Sequence, residues 1–517
     1  MKAVNLRAQA HGDFQAGWGD KLMGAQNRRQ FLTTVAVAGG LAGKLPSLKA
    51  GTPPGPPSGR PNVLLFFPDQ HRFDWLGTNP LLPVRTPNLD QLAGRGVRFT
   101  RALTPSPLCA PARACLASGK AYMRCGVRSN GVDYPPDEPT FYSILRASGY
   151  WTTACGKLDL NKADHNTGID GKRFLKQWGF SDGINNLGKW DAIGAGAVTP
   201  KDPYMAYLHQ SGLTAIYVAD MEKRRHRGYA ATWPSPLPDD AYCDNWIARN
   251  GLQLMRRFPP GKPWFLIVNF DGPHSPEDVT RDMWEGWRAI EFPPPNGADG
   301  YSRQVNNSIR RNYSAMVENI DRWVGVYLRE LEKRGELENT LVVYSSDHGE
   351  MLGDHGLWGK MVPYQPSVGV PLIVAGPGVK GNVASDALVS TMDLAATFLD
   401  YGGVERPAAM DSRSLRPLLE GKTAHHRDWA LSGLGSWRLA YNGRYKLIDG
   451  FVPAARRNRF LLKTSYSPAA DKAPPLLFDL QRDPGEDSPL VGASPADAHG
   501  VAGSLEDIPS LESEFSS

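Results

Sequence analysis

Apolar runs separated by polar turns divide this chain into recognisable elements. Asn62 to Phe67 (Asn-Val-Leu-Leu-Phe-Phe) is almost continuously apolar, the pattern of a parallel strand buried on both faces. Tyr150 to Ala154, Pro263 to Phe270, Leu341 to Ser345 and Pro371 to Ala375 read as further strands. Between them the period changes to that of helices. Thr86 is placed as an N-cap, with Pro87 at the first helical position and Leu89 and Leu92 on one face. From Asn312 to Arg334 the residues Met316, Ile320, Trp323, Val324, Tyr327, Leu328 and Leu331 follow the helical repeat, and Gly335 ends it. Strands alternating with helices predict an α/β fold: a large, mostly parallel sheet flanked by helices. Near the C-terminus, Trp437 to Ile448 reads as a hairpin about an Asn442-Gly443 turn, and Leu476 to Leu480 as another strand. These predict a small antiparallel C-terminal subdomain. Residues 160–260 are rich in Gly, Trp, Tyr and charge with poor periodicity, and are read as an insertion over the sheet edge that sets specificity.

Length and composition fit this picture. The 517 residues suffice for one large α/β domain and a smaller one. At 41% hydrophobic and 21% charged, the chain is globular in composition. The net charge of +5 is spread along the chain without a Lys/Arg run, so no nucleic-acid partner is expected. A mild basic excess suits anionic substrates. The five cysteines stand at 109, 115, 125, 155 and 243, with no Cys-x-x-Cys that would suggest a zinc or thioredoxin-like site. Arg28-Arg29-Gln30-Phe31-Leu32, followed by the mild apolar stretch Thr33 to Gly43, resembles a twin-arginine export signal. The stretch is well short of the roughly 20 residues that span a bilayer, and no transmembrane segment is expected. The predicted layout is an export signal over 1–50, a Pro/Gly linker over 51–60, a catalytic domain over 61–425 and a C-terminal subdomain and tail over 426–517. The Tat export machinery is then a partner, and the location periplasmic or extracellular.

Ligands of open parallel sheets bind beyond the carboxyl ends of the strands. Asp69 and Gln70 follow the first strand, Lys157 and Asp159 the Tyr150 strand, His274 the Pro263 strand, and Asp347 and His348 the Leu341 strand. Any one of these could be a cap or a loop residue; four strands delivering such groups to one rim point to a site. Asp69, Gln70, Asp347 and His348 offer hard oxygen ligands with one imidazole, suited to Ca²⁺ or Mg²⁺, with Mn²⁺ or Zn²⁺ allowed.

Cys109 opens the run Cys109-Ala110-Pro111-Ala112-Arg113, continued by Leu116 and by Gly119-Lys120. Cys-x-Pro-x-Arg followed by x-x-Leu-x-x-Gly-Lys resembles the signature of the type I sulfatases, of the alkaline phosphatase-like superfamily. Asp347-His348-Gly349-Glu350 through Gly359-Lys360 is similar to that family's second signature, and Arg60-Pro61-Asn62-Val63, Thr86 to Asp90, Gly96 to Thr100 and Leu476 to Glu486 resemble its other conserved segments. The resemblance spans nearly the whole chain from residue 60. It implies oxidation of Cys109 to formylglycine by a formylglycine-generating enzyme. It also implies Ca²⁺ held by Asp69, Gln70, Asp347, His348 and the converted Cys109, with Arg113 supporting the nucleophile. Lys120, Lys157, His274 and Lys360 would surround the ester, with His274 as general acid for the leaving oxygen.

Two segments depart from the family. Relatives read Gly-Lys-x-His where this chain has Gly156-Lys157-Leu158-Asp159, so Asp159 stands in the histidine's place; a catalytic base, a partner for Lys157 and a substrate contact all stay open for it. Gln365 and Gly369 also replace residues common among relatives. The implied function is hydrolysis of a sulfate monoester, a small molecule or an oligosaccharide. The alternatives are a phosphonate or phosphate monoester hydrolase of the same superfamily, and an inactive glycan-binding relative. Trp178, Trp190, Tyr204, Tyr207, Trp233 and Trp246 in the insertion would suit a sugar platform, although most such rings pack within the protein.

Overall fold

Eight strands build the main sheet: β1 (Asn62–Phe66), β2 (Val97–Leu103), β3 (Trp151–Gly156), β4 (Asp182–Asn185), β5 (Trp264–Asn269), β6 (Thr340–Ser345), β7 (Leu372–Ala375) and β8 (Val383–Ser390). Their order is β4-β3-β5-β1-β6-β7-β2-β8. All pairings are parallel except those of β7, which runs antiparallel to β6 and β2. A second sheet holds β9 (Ala430–Leu434), β10 (Trp437–Tyr441), β11 (Tyr445–Asp449) and β12 (Leu476–Asp479), all antiparallel, in the order β12-β11-β10-β9. This computed structural model describes residues 59–297, 300–452 and 474–490; the twin-arginine segment and the end of the tail lie outside them.

The continuous apolar character of β1 has a direct cause. Val63, Leu65 and Phe67 pack on one face with Ala110 and Ala114 of the helix Cys109–Ser118 and with Leu394 and Phe398 of the helix Asp393–Tyr401. Leu64 and Phe66 pack on the other face with Ile247 of the helix Cys243–Met255 and with Ile320, Val324 and Tyr327 of the helix Arg303–Lys333. Both faces are covered, so both alternating sets must be apolar.

Several elements differ from the sequence reading for identifiable reasons. The long helix begins at Arg303 rather than Asn312, capped by the Ser302 side chain accepting from Val305 N. Its first turns bury polar groups: Asn307 Oδ1 accepts from Phe292 N at 2.7 Å, and Arg310 donates to the carbonyls of Pro293 and Leu352 at 2.7 and 2.9 Å. Hydrophobic periodicity does not register a face buried through hydrogen bonds. Thr86 occupies the N-cap position, yet its hydroxyl caps nothing in its own helix; it pairs with Asp90 and accepts from Gly77 N. The free N–H groups of Asn88 and Leu89 go instead to Asp321 of the long helix, at 3.2 and 2.7 Å. In the β10–β11 hairpin Asn442 N donates to Tyr445 O, which puts Gly443 and Arg444 at the centre of the turn. Gly443 carries the positive φ of 92° at the first central position, as a type II′ turn requires. Strands β2, β4 and β8 escaped the reading because they sit toward the sheet's ends and are only partly apolar. Residues 160–260 hold regular structure: β4 and the helices Lys189–Gly196, Pro203–Gln210, Thr214–Arg227 and Cys243–Met255.

Gly156 ends β3 with φ 101°, and a Cβ there would lie 1.9 Å from Asn269 O. Gly156→Ala combines left-handed strain with a backbone clash, each typically about 1–3 kcal/mol. The expected result is a destabilisation of more than about 2 kcal/mol, read from chemical unfolding.

Candidate active site

β1 and β6 are parallel neighbours, and the chain leaves both at the same rim. Beyond β1, Gln70 takes a left-handed turn with φ 69°. Beyond β6, the Ser346 hydroxyl accepts from His71 N at 2.9 Å and lies 3.0 Å from the carbonyls of Pro68 and His348, tying the two strand ends together. This brings Asp69 and Asp347, both fully buried, to one point. Asp347 Oδ1 accepts from Gln70 N at 3.0 Å and from His348 N at 2.9 Å.

The helix Cys109–Ser118 points its first turn at these carboxylates. Its Ala110 N–H is satisfied by Asn130 Oδ1 at 3.1 Å, and left-handed Gly119 ends it. Cys109 Sγ lies 3.4 Å from His348 Nε2 and 3.8 Å from Asp69 Oδ1. One turn on, and so on the same face, Arg113 reaches Asp347 Oδ2 from Nε at 3.0 Å. Its Nη1 donates to Lys157 O at 2.8 Å and Asn269 Oδ1 at 2.9 Å, and its Nη2 lies 3.5 Å from Asp69 Oδ2. Lys157, from the end of β3, places Nζ 2.5 Å from Asp69 Oδ2. Lys360 Nζ lies 3.9 Å from Asp69 Oδ1 and donates to Gln70 Oε1. The segment after Lys360 is clamped by the second sheet: Trp437 Nε1 donates to Met361 O at 3.1 Å, and Glu486 accepts from Gln365 N and pairs with buried Lys446 at 2.7 Å.

One ligand atom from each of Asp69, Cys109, Asp347 and His348 lies within 4.8 Å of the others. The donor set fits a divalent cation. His348 Nδ1 faces the Gly349 carbonyl at 3.1 Å, and a carbonyl can only accept, so Nε2 presents its lone pair to the cluster. Burial, reinforced by Lys360, holds this imidazole neutral, well below its usual pKa. The Gln70 amide is oriented in the same way: its Nε2 donates to Glu350 and its Oε1 accepts from Lys360. Two carboxylates, an amide oxygen and one imidazole form a set that Ca²⁺, Mg²⁺ or Mn²⁺ accepts.

The electrostatics are those of a buried charge cluster. Burial alone would raise Asp69, but the charges around it, that of Lys157 first and that of Lys360 with it, bring it well below the usual carboxylate range. Burial pushes Asp347 up to about 6, opposed by Arg113 and assisted by the charge of Asp69. Burial and the charge of Asp69 push the Cys109 thiol up to about 11. Asp159 lies 3.6 Å from Lys157 and 3.0 Å from Lys162. Burial raises its pKa, and Lys157, Lys162 and Arg113 more than reverse this. His274 Nδ1 faces the Ser275 carbonyl at 2.6 Å, leaving Nε2 as its other working nitrogen.

The structure thus gathers Asp69, Gln70, Cys109, Arg113, Lys157, Asp159, His274, Asp347, His348 and Lys360. Lys120 is different: it is half-buried, and among the described residues its ammonium makes no hydrogen bond or ion pair. All five cysteines are buried free thiols. Four residues were missed. Glu350 fixes Gln70 and accepts from Leu352 N and Gly359 N. Asp271 lies 3.9 Å from Lys157 and accepts from Lys189 N at 2.9 Å; its place two residues beyond β5 was a usable signal. Lys162 and Tyr229 come from the weakly patterned insertion, where nothing marked them. Tyr229 places its hydroxyl 3.4 Å from Glu350 and its ring 5.0 Å from that of Trp358. Of the insertion's other aromatics, Trp178, Tyr204 and Trp246 are core residues, Trp190 and Tyr207 pack against the core, and Trp233 donates to Asp220.

Beyond the strand ends of a mostly parallel sheet, a cysteine, buried carboxylates and cations thus meet in a site suited to an anionic ester. The sequence profile of the sulfatase family matches residues 61–404, and that of the N-sulphoglucosamine sulphohydrolase C-terminal region matches residues 353–500. The chain belongs to the sulfatase family and is a sulfuric ester hydrolase. It is 25% identical over 460 residues to an arylsulfatase of Clostridium perfringens, covering 84% of this chain and 91% of the relative. It is 28% identical over 409 residues to an N-acetylglucosamine-6-O-sulfatase of Bacteroides thetaiotaomicron, covering 72% and 73%. In fold it is similar to a phosphonate monoester hydrolase of Agrobacterium radiobacter, with TM-score 0.69, 23% identity and coverage of 88% and 96%.

Burial pushes Asp271 up to about 7, against the pull of Lys157 and Lys189. A carboxyl raised above its unfolded value of about 4 contributes stability that is complete below that value and is lost as pH rises toward 7. Asp271→Asn removes this loss while keeping an acceptor for Lys189 N. Measured by thermal unfolding, the variant's Tm is expected to gain on the wild type's between pH 5 and pH 8.

Proposed function

We propose that this enzyme hydrolyses a carbohydrate sulfate monoester, with Cys109 converted to formylglycine and a divalent cation, Ca²⁺ by preference, held by Asp69, Gln70, Asp347 and His348. The observation that carries this reading is the setting of Cys109. Its sulfur touches the cation-binding set, yet burial keeps the thiol protonated at neutral pH, so as a cysteine it is a poor nucleophile at the point where the ester must be attacked. When present, formylglycine supplies an aldehyde-hydrate oxygen as nucleophile, and the cation a Lewis acid beside it.

The chain's own residues do the rest. Arg113 fixes the helix start against Asp347 and Asp69. Lys157 and Lys360 bring positive charge to the sulfuryl oxygens. His274 is the group to protonate the leaving oxygen, through Nε2. Burial, with Lys360 and Lys157 beside it, holds its imidazole neutral, and the negative charge of a bound ester favours the protonated form this role needs. Maturation by a formylglycine-generating enzyme and export by the Tat machinery to the periplasm or medium complete the proposal. Among the described residues no helix is long and apolar enough to cross a membrane. The carbohydrate class is supported by the N-acetylglucosamine-6-O-sulfatase relative.

The test combines peptide mass spectrometry with a substrate panel. Protein co-produced with a formylglycine-generating enzyme is expected to carry an aldehyde at position 109 and to hydrolyse nitrophenyl sulfate and a glucosamine sulfate faster than nitrophenyl phenylphosphonate or nitrophenyl phosphate. Cys109→Ala should lower kcat/KM by more than about 10³-fold. Chelation should abolish turnover and Ca²⁺ restore it. An unmodified thiol, or a preference for the phosphonate, would sink the proposal in favour of an inactive relative or a phosphonate hydrolase respectively.

A further inference from the structure

Asp159 lies just beyond the end of β3, two residues after Lys157, and the fold braces it from behind. Its backbone is left-handed, φ 52°, a conformation Asp tolerates better than most side chains. Its Oδ2 faces two ammonium groups, Lys157 at 3.6 Å and Lys162 at 3.0 Å, while Oδ1 makes no hydrogen bond or ion pair among the described residues. Lys162 is pinned on its far side by Asp191 Oδ2 at 2.5 Å. Asp191 belongs to the first turn of the helix Lys189–Gly196. The same helix end backs Lys157: a Cβ on its cap residue Gly188 would lie 2.9 Å from Lys157 Cε and 3.2 Å from Nζ.

The charged groups acting on Asp159 are Lys157, Lys162, Arg113 and Asp69; those acting on Lys162 are Asp159, Lys157, Asp191 and Cys109. Lys157 is the link to position 109: its ammonium faces Asp159 at 3.6 Å and Asp69 at 2.5 Å, and Asp69 lies 3.8 Å from Cys109 Sγ. A buried ion-pair chain is a poor device for stability, because desolvation of its members offsets most of their attraction. Asp159–Lys162–Asp191 runs from the nucleophile's surroundings out to a helix end, and orientation explains it better than stability does.

We propose that Lys162, braced by Asp191, is a positioning residue that orients the Asp159 carboxylate on the Lys157 side of position 109, where Asp159 accepts a proton. This rests on the reading of position 109 given above. The step balances: one O–H bond at position 109 breaks, its proton passes to Asp159, and Asp159 returns it to water. A base flanked by two ammonium groups is weak, so it stays ionised, and the enzyme active, to lower pH than an imidazole would allow.

The experiment compares wild type, Lys162→Met, Lys162→Arg and Asp191→Asn. In formylglycine-bearing protein, Lys162→Met is expected to lower kcat by about 10- to 100-fold with little change in KM. The acid limb of its kcat–pH profile should move to higher pH, because a cation that favours the Asp159 carboxylate is gone. Lys162→Arg should restore both, and Asp191→Asn should move both in the same direction by less. A second readout uses unconverted Cys109 protein. The stability that ionised Asp159 contributes is present above its unfolded pKa and lost as pH falls through its folded pKa, so acid loss of Tm should begin at higher pH in Lys162→Met. A variant that melts like the wild type at pH 7 and keeps its kcat and acid limb overturns the proposal. If Lys162→Met does not fold, an unchanged profile in Asp191→Asn does so. Should converted wild type hydrolyse none of the esters, the reading of position 109 is what fails, and the acid-melting shift still reports separately on whether Lys162 holds Asp159.

Discussion

Two carboxylates forced together without water set the terms for the rest of this structure. Asp69 and Asp347 leave neighbouring parallel strands at the same rim, and both are inaccessible to solvent. Like charges so placed cannot both stay ionised unless cations surround them. The chain supplies Arg113 across both carboxylates, Lys157 on Asp69, and Lys360 on Asp69 and Gln70. Removing one partner of such a pair typically costs about 3–5 kcal/mol, since it leaves a buried charge uncompensated. The arrangement is tolerable as a resting state and well suited to a bound dication.

This constraint explains placements that otherwise look unrelated. Arg113 sits one turn from Cys109 because one helix face must bring both side chains to the carboxylates. Gly156 ends β3 because only a residue without Cβ can pass Asn269 O and release Lys157 toward Asp69. The second sheet lies far away in sequence, yet it clamps the segment that follows Lys360. The insertion supports the site from the opposite side, through Asp191 behind Lys162 and Tyr229 beside Glu350. Catalytic groups on loops gain their precision from such supports.

The aromatic residues of the insertion show why composition is a weak guide to ligands. Trp178, Tyr204 and Trp246 are core, as large rings usually are. Tyr229, which nothing in the pattern distinguished, is the insertion ring that reaches the site.

What the sequence by itself determined is whatever local chemistry and periodicity dictate. The apolar runs located β1, β3, β5, β6 and β7, because strands covered on both faces must be apolar on both. The strand-end rule then found most of the polar cluster, and the motif about Cys109 found its centre. Tertiary structure alone decided the rest, because each of those features depends on a partner distant in the chain. Asp321, more than two hundred residues away, takes the free N–H groups at the start of the Pro87–Gly94 helix in place of Thr86. The polar first turns of the long helix are buried through hydrogen bonds that no hydrophobic period records. Lys120, inside the signature, stays out of the ion-pair network, while Lys162, outside it, holds Asp159. A motif fixes which residue types lie close in sequence; which charges meet in space is fixed by how the strands and the insertion pack.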